Sequence, residues 1–109
     1  MYMGKVIGTV VATRKDENLI GTKLMITQPL NMKLEPIGES LIAVDTVGAG
    51  IGALVIFTKG TAARIAARKM DSPIDISIVG IIDEMDVHGV RTQRMSDHRQ
   101  NRTSYRSVI

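Results

Sequence analysis

Short stretches that are apolar without interruption constrain this chain more than any other feature. Leu54-Val55-Ile56-Phe57 is one, and Leu41-Ile42-Ala43-Val44 is another. Ile78-Val79 and Ile81-Ile82 flank Gly80 to make a third. Each is too short for a buried helix and is bounded by turn residues, so each is predicted to be a strand. A sheet with one wet face should alternate apolar and polar side chains. These strands do not, and period-two geometry sends half of each run away from any barrel interior. A chain of 109 residues holds one domain and has little material to cover that second face. Either neighbouring copies cover it or the chain's own helix and tail fold over it.

The remaining strands follow from composition and turn signals. Gly4 to Arg14 is rich in Val, Ile and Thr, and Asp16-Glu17-Asn18 supplies a turn. Lys23 to Leu30 is predicted as a second strand, stopped near Pro29. Ser40 to Val47, Ala53 to Thr58 and Asp75 to Asp83 complete five. Between the last two, Ala62 to Met70 is predicted as a short helix with Thr61 as its cap, favoured by four alanines and stopped by Asp71-Ser72-Pro73. Five short strands and one small helix predict an all-β fold, a small five-stranded barrel. The helix is too short for a doubly wound α/β sheet.

Charge divides the chain. Residues 1–90 are predicted as the barrel domain and carry a net charge of −1; residues 91–109 form a basic tail of +4. The tail holds Arg91, Arg94, Arg99, Arg102 and Arg106 against one acid, Asp97. These arginines are candidate contacts for acidic surfaces or phosphates.

Several classes of function are disfavoured. The chain has no cysteine, so a disulfide scaffold, a thiolate zinc site and a Cys nucleophile are excluded. The longest uncharged stretch, Thr46 to Thr58, falls far short of the ~20 apolar residues of a membrane helix. The apolar run Val6 to Ala12 lacks a cleavage pattern after it, and Tyr2 stands where myristoylation needs glycine. A soluble, cytoplasmic protein is expected, with no membrane partner. No nucleophile, base and orienting group share a pattern, so no catalytic residues, no cofactor and no enzyme activity are predicted. Asp83, Asp86 and His88 are the one acidic cluster with a histidine, but a strand would send alternate members to opposite faces, and no metal is expected.

The glycine-rich run Gly48-Ala49-Gly50-Ile51-Gly52 resembles a dinucleotide loop only in composition, because a strand and not a helix follows it. Its glycines suit a tight corner or an axis where copies converge. Replacing Gly50 by a β-branched residue is therefore expected to damage folding or assembly. Lys59-Gly60-Thr61 has no upstream phosphate-loop glycine. A nucleic-acid-binding module of the OB type, using the arginine tail, is the alternative function. Only Tyr2, Phe57 and Tyr105 are aromatic, too few for a base-stacking platform, which disfavours nucleic acid as a partner.

The residues also resemble a known family. Gly4-Lys5-Val6-Ile7-Gly8-Thr9-Val10-Val11-Ala12-Thr13, then Leu19-Ile20-Gly21-Thr22-Lys23-Leu24, is similar to the start of EutN/CcmL proteins, the pentameric vertex proteins of bacterial microcompartments. Ala43 to Gly52 looks like that family's central signature, Gly60-Thr61-Ala62-Ala63-Arg64 its small-residue segment, and Pro73-Ile74-Asp75 with Val79 to Asp83 its closing strand. The resemblance covers about residues 4–86. It implies an OB-like barrel that assembles as a cyclic homopentamer and caps the five-fold vertices of a shell tiled by hexameric proteins, in the bacterial cytoplasm. It implies hexameric shell proteins as partners, with encapsulated enzymes as an open further one, and a structural role. By position, Gly48, Ala49, Gly50, Ile51, Gly52, Gly60, Thr61, Ala62, Ala63 and Arg64 become candidates for the axis and subunit interfaces. Ala53 stands where many members have glutamate, Thr61-Ala62 replaces a serine pair, and the tail lies outside the shared core.

Overall fold

The computed structural model describes residues 1–13, 15–87, 90–92 and 105–107, the last two stretches by strand placement alone. Five strands close a barrel: β1 (Tyr2–Val10), β2 (Lys23–Leu30), β3 (Leu41–Asp45), β4 (Leu54–Lys59) and β5 (Ile76–Ile81). One helix, α1 (Gly60–Ala67), joins β4 to β5. The order around the barrel is β1-β2-β3-β5-β4, and β4 pairs back to β1. Every pairing is antiparallel except β3 with β5. This is the predicted OB-like barrel with its single helix. A separate small sheet follows, formed by β6 (Asp86–Val87), β7 (Val90–Thr92) and β8 (Tyr105–Ser107). The predicted domain boundary at residue 90 falls in β7.

Strand parity builds the core. Val6, Met25, Ala43, Val55, Phe57, Ile76 and Ile78 point inward and form one buried cluster. The interior is narrow: a Cβ on Gly4 would stand 2.8 Å from Thr27 Cγ2 and 3.1 Å from the Phe57 ring, closer than side chains tolerate. Glycine at position 4 is thus a packing requirement.

The edges of the predicted elements shift for identifiable reasons. β1 begins at Tyr2, because Tyr2 and Met3 pair with Phe57 and Ile56. It ends at Val10, whose partner Leu24 stands near the start of β2, so Val11 to Thr13 lie beyond the ladder, and the predicted end at Arg14 lies outside the described residues. β3 stops at Asp45, whose carboxylate Oδ1 accepts from the backbone N–H groups of Val47 (3.0 Å) and Gly48 (3.1 Å) and turns the chain. The helix starts at Gly60 and not at Ala62, so Thr61 lies in its first turn and is not its cap. Lys59 holds the cap position without a side-chain bond. The helix ends at Ala67 because Arg68 adopts the left-handed conformation (φ 58°), and the N–H groups of Arg68 and Lys69 bond back to Ile65 O and Arg64 O. Met70 therefore lies beyond it.

The outward apolar residues divide into two sets. Val44 lies under α1, in a cluster with Ala63 and Ile74. Leu54 packs with Met3 and Leu30 and is covered by Leu34, Ile82 and Met85. Ile42 and Ile7 remain 55% and 49% exposed. Self-coverage is thus nearly complete for Val44 and Leu54, and only partial for Ile42 and Ile7.

Candidate functional site: the assembly surfaces

The loop between β3 and β4 is held from both sides. Gly52 N–H donates to Val6 O (2.8 Å), Val6 N–H donates to Ala53 O (3.0 Å), and Ala53 N–H donates to Gly50 O (3.1 Å). Ala49 is buried in the barrel core, which anchors the loop's middle. Gly48 and Gly52 have φ of +81° and +93°, values that favour glycine. Gly50 does not: its φ is not in the left-handed region, and a Cβ there would meet nothing within 4 Å. The crowding and φ restriction expected at Gly50 are therefore absent within one protomer. The loop thrusts Ile51 into solvent, 67% exposed. An isoleucine on a rigid, glycine-flanked turn has no role in the protomer's own packing.

The second candidate segment, Gly60 to Arg64, opens α1. Gly60 (φ +63°) donates its N–H to Asp75 O at 2.7 Å, tying the helix start to the approach to β5. Ala63 is fully buried, and its carbonyl accepts from the Ser77 hydroxyl at 2.8 Å. Arg64 extends its guanidinium to Ile74 O (3.3 Å) and to Thr61 Oγ1 (3.1 Å). Arg64 thus has partners in its own chain.

The two segments do not converge within a protomer. One precedes β4 and the other follows it, so six extended residues, about 20 Å, separate them. Among the described residues no hydrogen bond joins them. The helix runs back from the far end, and its last turn, Ala66 to Arg68, stands beside Asp45 and Thr46 at the loop's origin. A third surface is the outer face of β1–β2–β3, which the unbroken run Leu41 to Val44 signalled in the sequence although no candidate site residue was named on it. There Ile26 pairs with Ile42 on β3 and with Gly8 on β1, and Ile7 is the extra residue where the β1 register shifts. A bulge of this kind re-aims a side chain, here into solvent.

Other expectations find their places. Tyr2 stacks on Phe57 at 5.3 Å, with Lys59 Nζ 4.4 Å from the Tyr2 ring centroid. Both rings are thereby engaged, and Phe57 is buried, so they form no platform for bases. Among the described residues no three His, Cys, Asp or Glu side chains gather to hold a metal, and His88 lies outside them. Among the described residues no helix is long and apolar enough to cross a membrane. Arg94, Arg99 and Arg102 lie outside the described residues; the backbones of Arg91 and Arg106 are partners in the β7–β8 register.

Among the described residues, the closed OB-like barrel leaves isoleucines of its strands and turns standing in solvent, a surface of the kind that other chains cover. The sequence agrees with relatives of that kind. Residues 1–83 match the family described as "Ethanolamine utilisation protein EutN/carboxysome", and the chain belongs to this EutN/CcmL family. It is 51% identical over 86 residues to the bacterial microcompartment shell vertex protein GrpN of Rhodospirillum rubrum, covering 79% of this chain and 97% of GrpN. It is 44% identical to the carboxysome shell vertex protein CcmL of Synechocystis, covering 80% and 87% of the two chains. The solved structure of the pentameric GrpN shell protein superposes with a TM-score of 0.73 at 49% identity, covering 80% of this chain and 99% of that one.

Proposed function

We propose that this chain is a structural shell protein whose five copies close into a ring and cap the five-fold vertices of a bacterial microcompartment in the cytoplasm. One coincidence carries the reading. The chain matches nearly the whole of the pentameric shell protein GrpN over 80% of its own length, and its own barrel leaves Ile7, Ile42 and Ile51 partly in water. Burying each half-exposed isoleucine against a neighbour contributes on the order of 1 kcal/mol, repeated at every interface of a ring. Hexameric shell proteins are the expected flat neighbours and encapsulated enzymes a further partner. The role is mechanical, not catalytic.

Within the ring, the Gly48 to Gly52 loop and the Gly60 to Arg64 segment are the proposed axial and intersubunit surfaces. They lie at opposite ends of β4, so one protomer can present one to each of two neighbours. Arg64 uses two donors within its chain and keeps others for a carbonyl or carboxylate across the interface. Native mass spectrometry tests the ring: the expected species has five times the 11.9 kDa chain mass, and a stable monomer at micromolar concentration refutes it. In cells, deleting the gene should leave shells elongated or unsealed; closed shells formed with no substitute pentamer would remove the vertex role.

A further inference from the structure

A cleft of about 500 Å³ lies between the start of β2, the end of β3 and the last turn of α1. Lys23 and Arg68 line it, together with Thr22, Asp45 and Thr46. Its charges are unequally engaged. Asp45 is the cross-strand partner of Lys23 in the β2–β3 register, yet the two form no ion pair. The Asp45 carboxylate is turned into the protein instead: Oδ1 accepts from the N–H groups of Val47 and Gly48, and Oδ2 is buried. Lys23 and Arg68 are exposed, and among the described residues neither side chain meets a hydrogen-bond or ion-pair partner. Arg68 holds its place against its backbone preference. Its φ of 58° is left-handed, a conformation that glycine or asparagine adopts at lower cost. A cation at the end of a helix recovers part of that cost, but no bond of its guanidinium within the chain recovers the rest.

We propose that this cleft binds a small hydroxylated phosphate. Two unpaired cations suit a doubly charged group, which a phosphate monoester supplies near neutral pH and a single carboxylate does not. The Arg68 guanidinium can take two phosphate oxygens at once, and Lys23 adds a point charge. The threonines select for hydroxyls. Thr22 Oγ1 donates to Leu19 O, and Thr46 Oγ1 donates to Ile78 O at 2.7 Å. Each spends its proton inside the chain and keeps lone pairs for an incoming O–H donor. The volume falls within the roughly 300–1,000 Å³ of small-ligand pockets. All these residues belong to one protomer, so the site does not depend on the ring proposed above.

Calorimetric titration of the full-length protein with glycerol 3-phosphate, inorganic phosphate and glycerol tests the site. Glycerol 3-phosphate is expected to bind, inorganic phosphate roughly tenfold more weakly, and glycerol not at all. Lys23→Gln and Arg68→Asn should each weaken glycerol 3-phosphate binding about tenfold, the loss of one charged hydrogen bond. Asparagine accepts the left-handed backbone, so Arg68→Asn is expected to keep or raise the melting temperature, which separates lost binding from a lost fold. No binding at millimolar glycerol 3-phosphate, or undiminished affinity in both variants, overturns the site. Inorganic phosphate that binds as tightly as glycerol 3-phosphate overturns the hydroxyl contacts and with them the ligand class. Native mass spectrometry of Arg68→Asn supplies a further outcome. A ring mass that is lost with this substitution means that Arg68 serves an acidic group of a neighbouring copy, which overturns the small-molecule site. A ring mass that is kept while binding falls supports the site. Wild-type protein without a ring mass bears on the ring reading alone.

Discussion

At the scale of single residues, the barrel contains a buried polar atom that its fold does not need. Thr27 is fully buried with its Oγ1 lacking a hydrogen-bond partner. An unsatisfied hydroxyl costs about 1–3 kcal/mol, and an apolar isostere removes that cost. Thr27→Val is therefore expected to leave assembly unchanged and to raise stability by about 1 kcal/mol in denaturant unfolding. The glycine loop separates two kinds of glycine. Gly52→Val forces a β-branched residue to φ +93° and should destabilise the protomer by about 1–2 kcal/mol. Gly50→Val meets open space, so protomer stability should hold within about 0.5 kcal/mol. Loss of ring mass in Gly50→Val with an unchanged circular dichroism spectrum would place Gly50 at a subunit contact; an intact ring would show that the loop tip touches no neighbour.

At the scale of elements, α1 is fastened to the barrel by few but buried contacts. Ala63, Ile74 and Val44 form its apolar seat, and the Ser77 hydroxyl bonds to its backbone. Ser77→Ala should cost about 1 kcal/mol and speed amide exchange over residues 60–67 more than in β1 or β2. The face of β1–β2–β3 behaves in the opposite way, because Ile42 stays 55% exposed on it. Ile42→Asp puts a charge where the protomer sees water and the proposed ring sees protein. Folding should survive, as circular dichroism will report, while the ring dissociates to monomers. A ring of normal mass in that variant would remove this face from the interface.

At the scale of the whole molecule, the barrel closes through a short β3–β5 ladder, Val44 with Ser77 and Asp45 with Ile78, and its stability comes from a small interior. Association is expected to add to that stability by mass action, so the melting temperature should rise with protein concentration. A melting temperature independent of concentration over a hundredfold range would mean that the assembly contributes nothing. The charge division also acts at this scale. A body of −1 carries a C-terminal segment of +4, so contacts that the segment makes with acidic groups are expected to weaken with salt.

The chain's local chemistry alone determined the strands, their approximate limits, the single helix and the presence of apolar side chains on both faces. Those features depend on period-two patterning, turn residues and alanine content, which act over a few neighbours. The tertiary structure alone decided which outward residues the chain covers. Val44 and Leu54 have the same outward parity as Ile42, yet α1 and the 82–87 segment settle on the first two. Where the helix begins was equally hidden, since Gly60 is drawn into it by a bond from its N–H to Asp75, fifteen residues away in the chain. A groove beside Met32 was invisible for the same reason, being assembled from four separate segments, residues 1–3, Met32, Ile56 and residues 81–87. Parity is a property of a strand, but cover is supplied by whatever the folded chain brings near it.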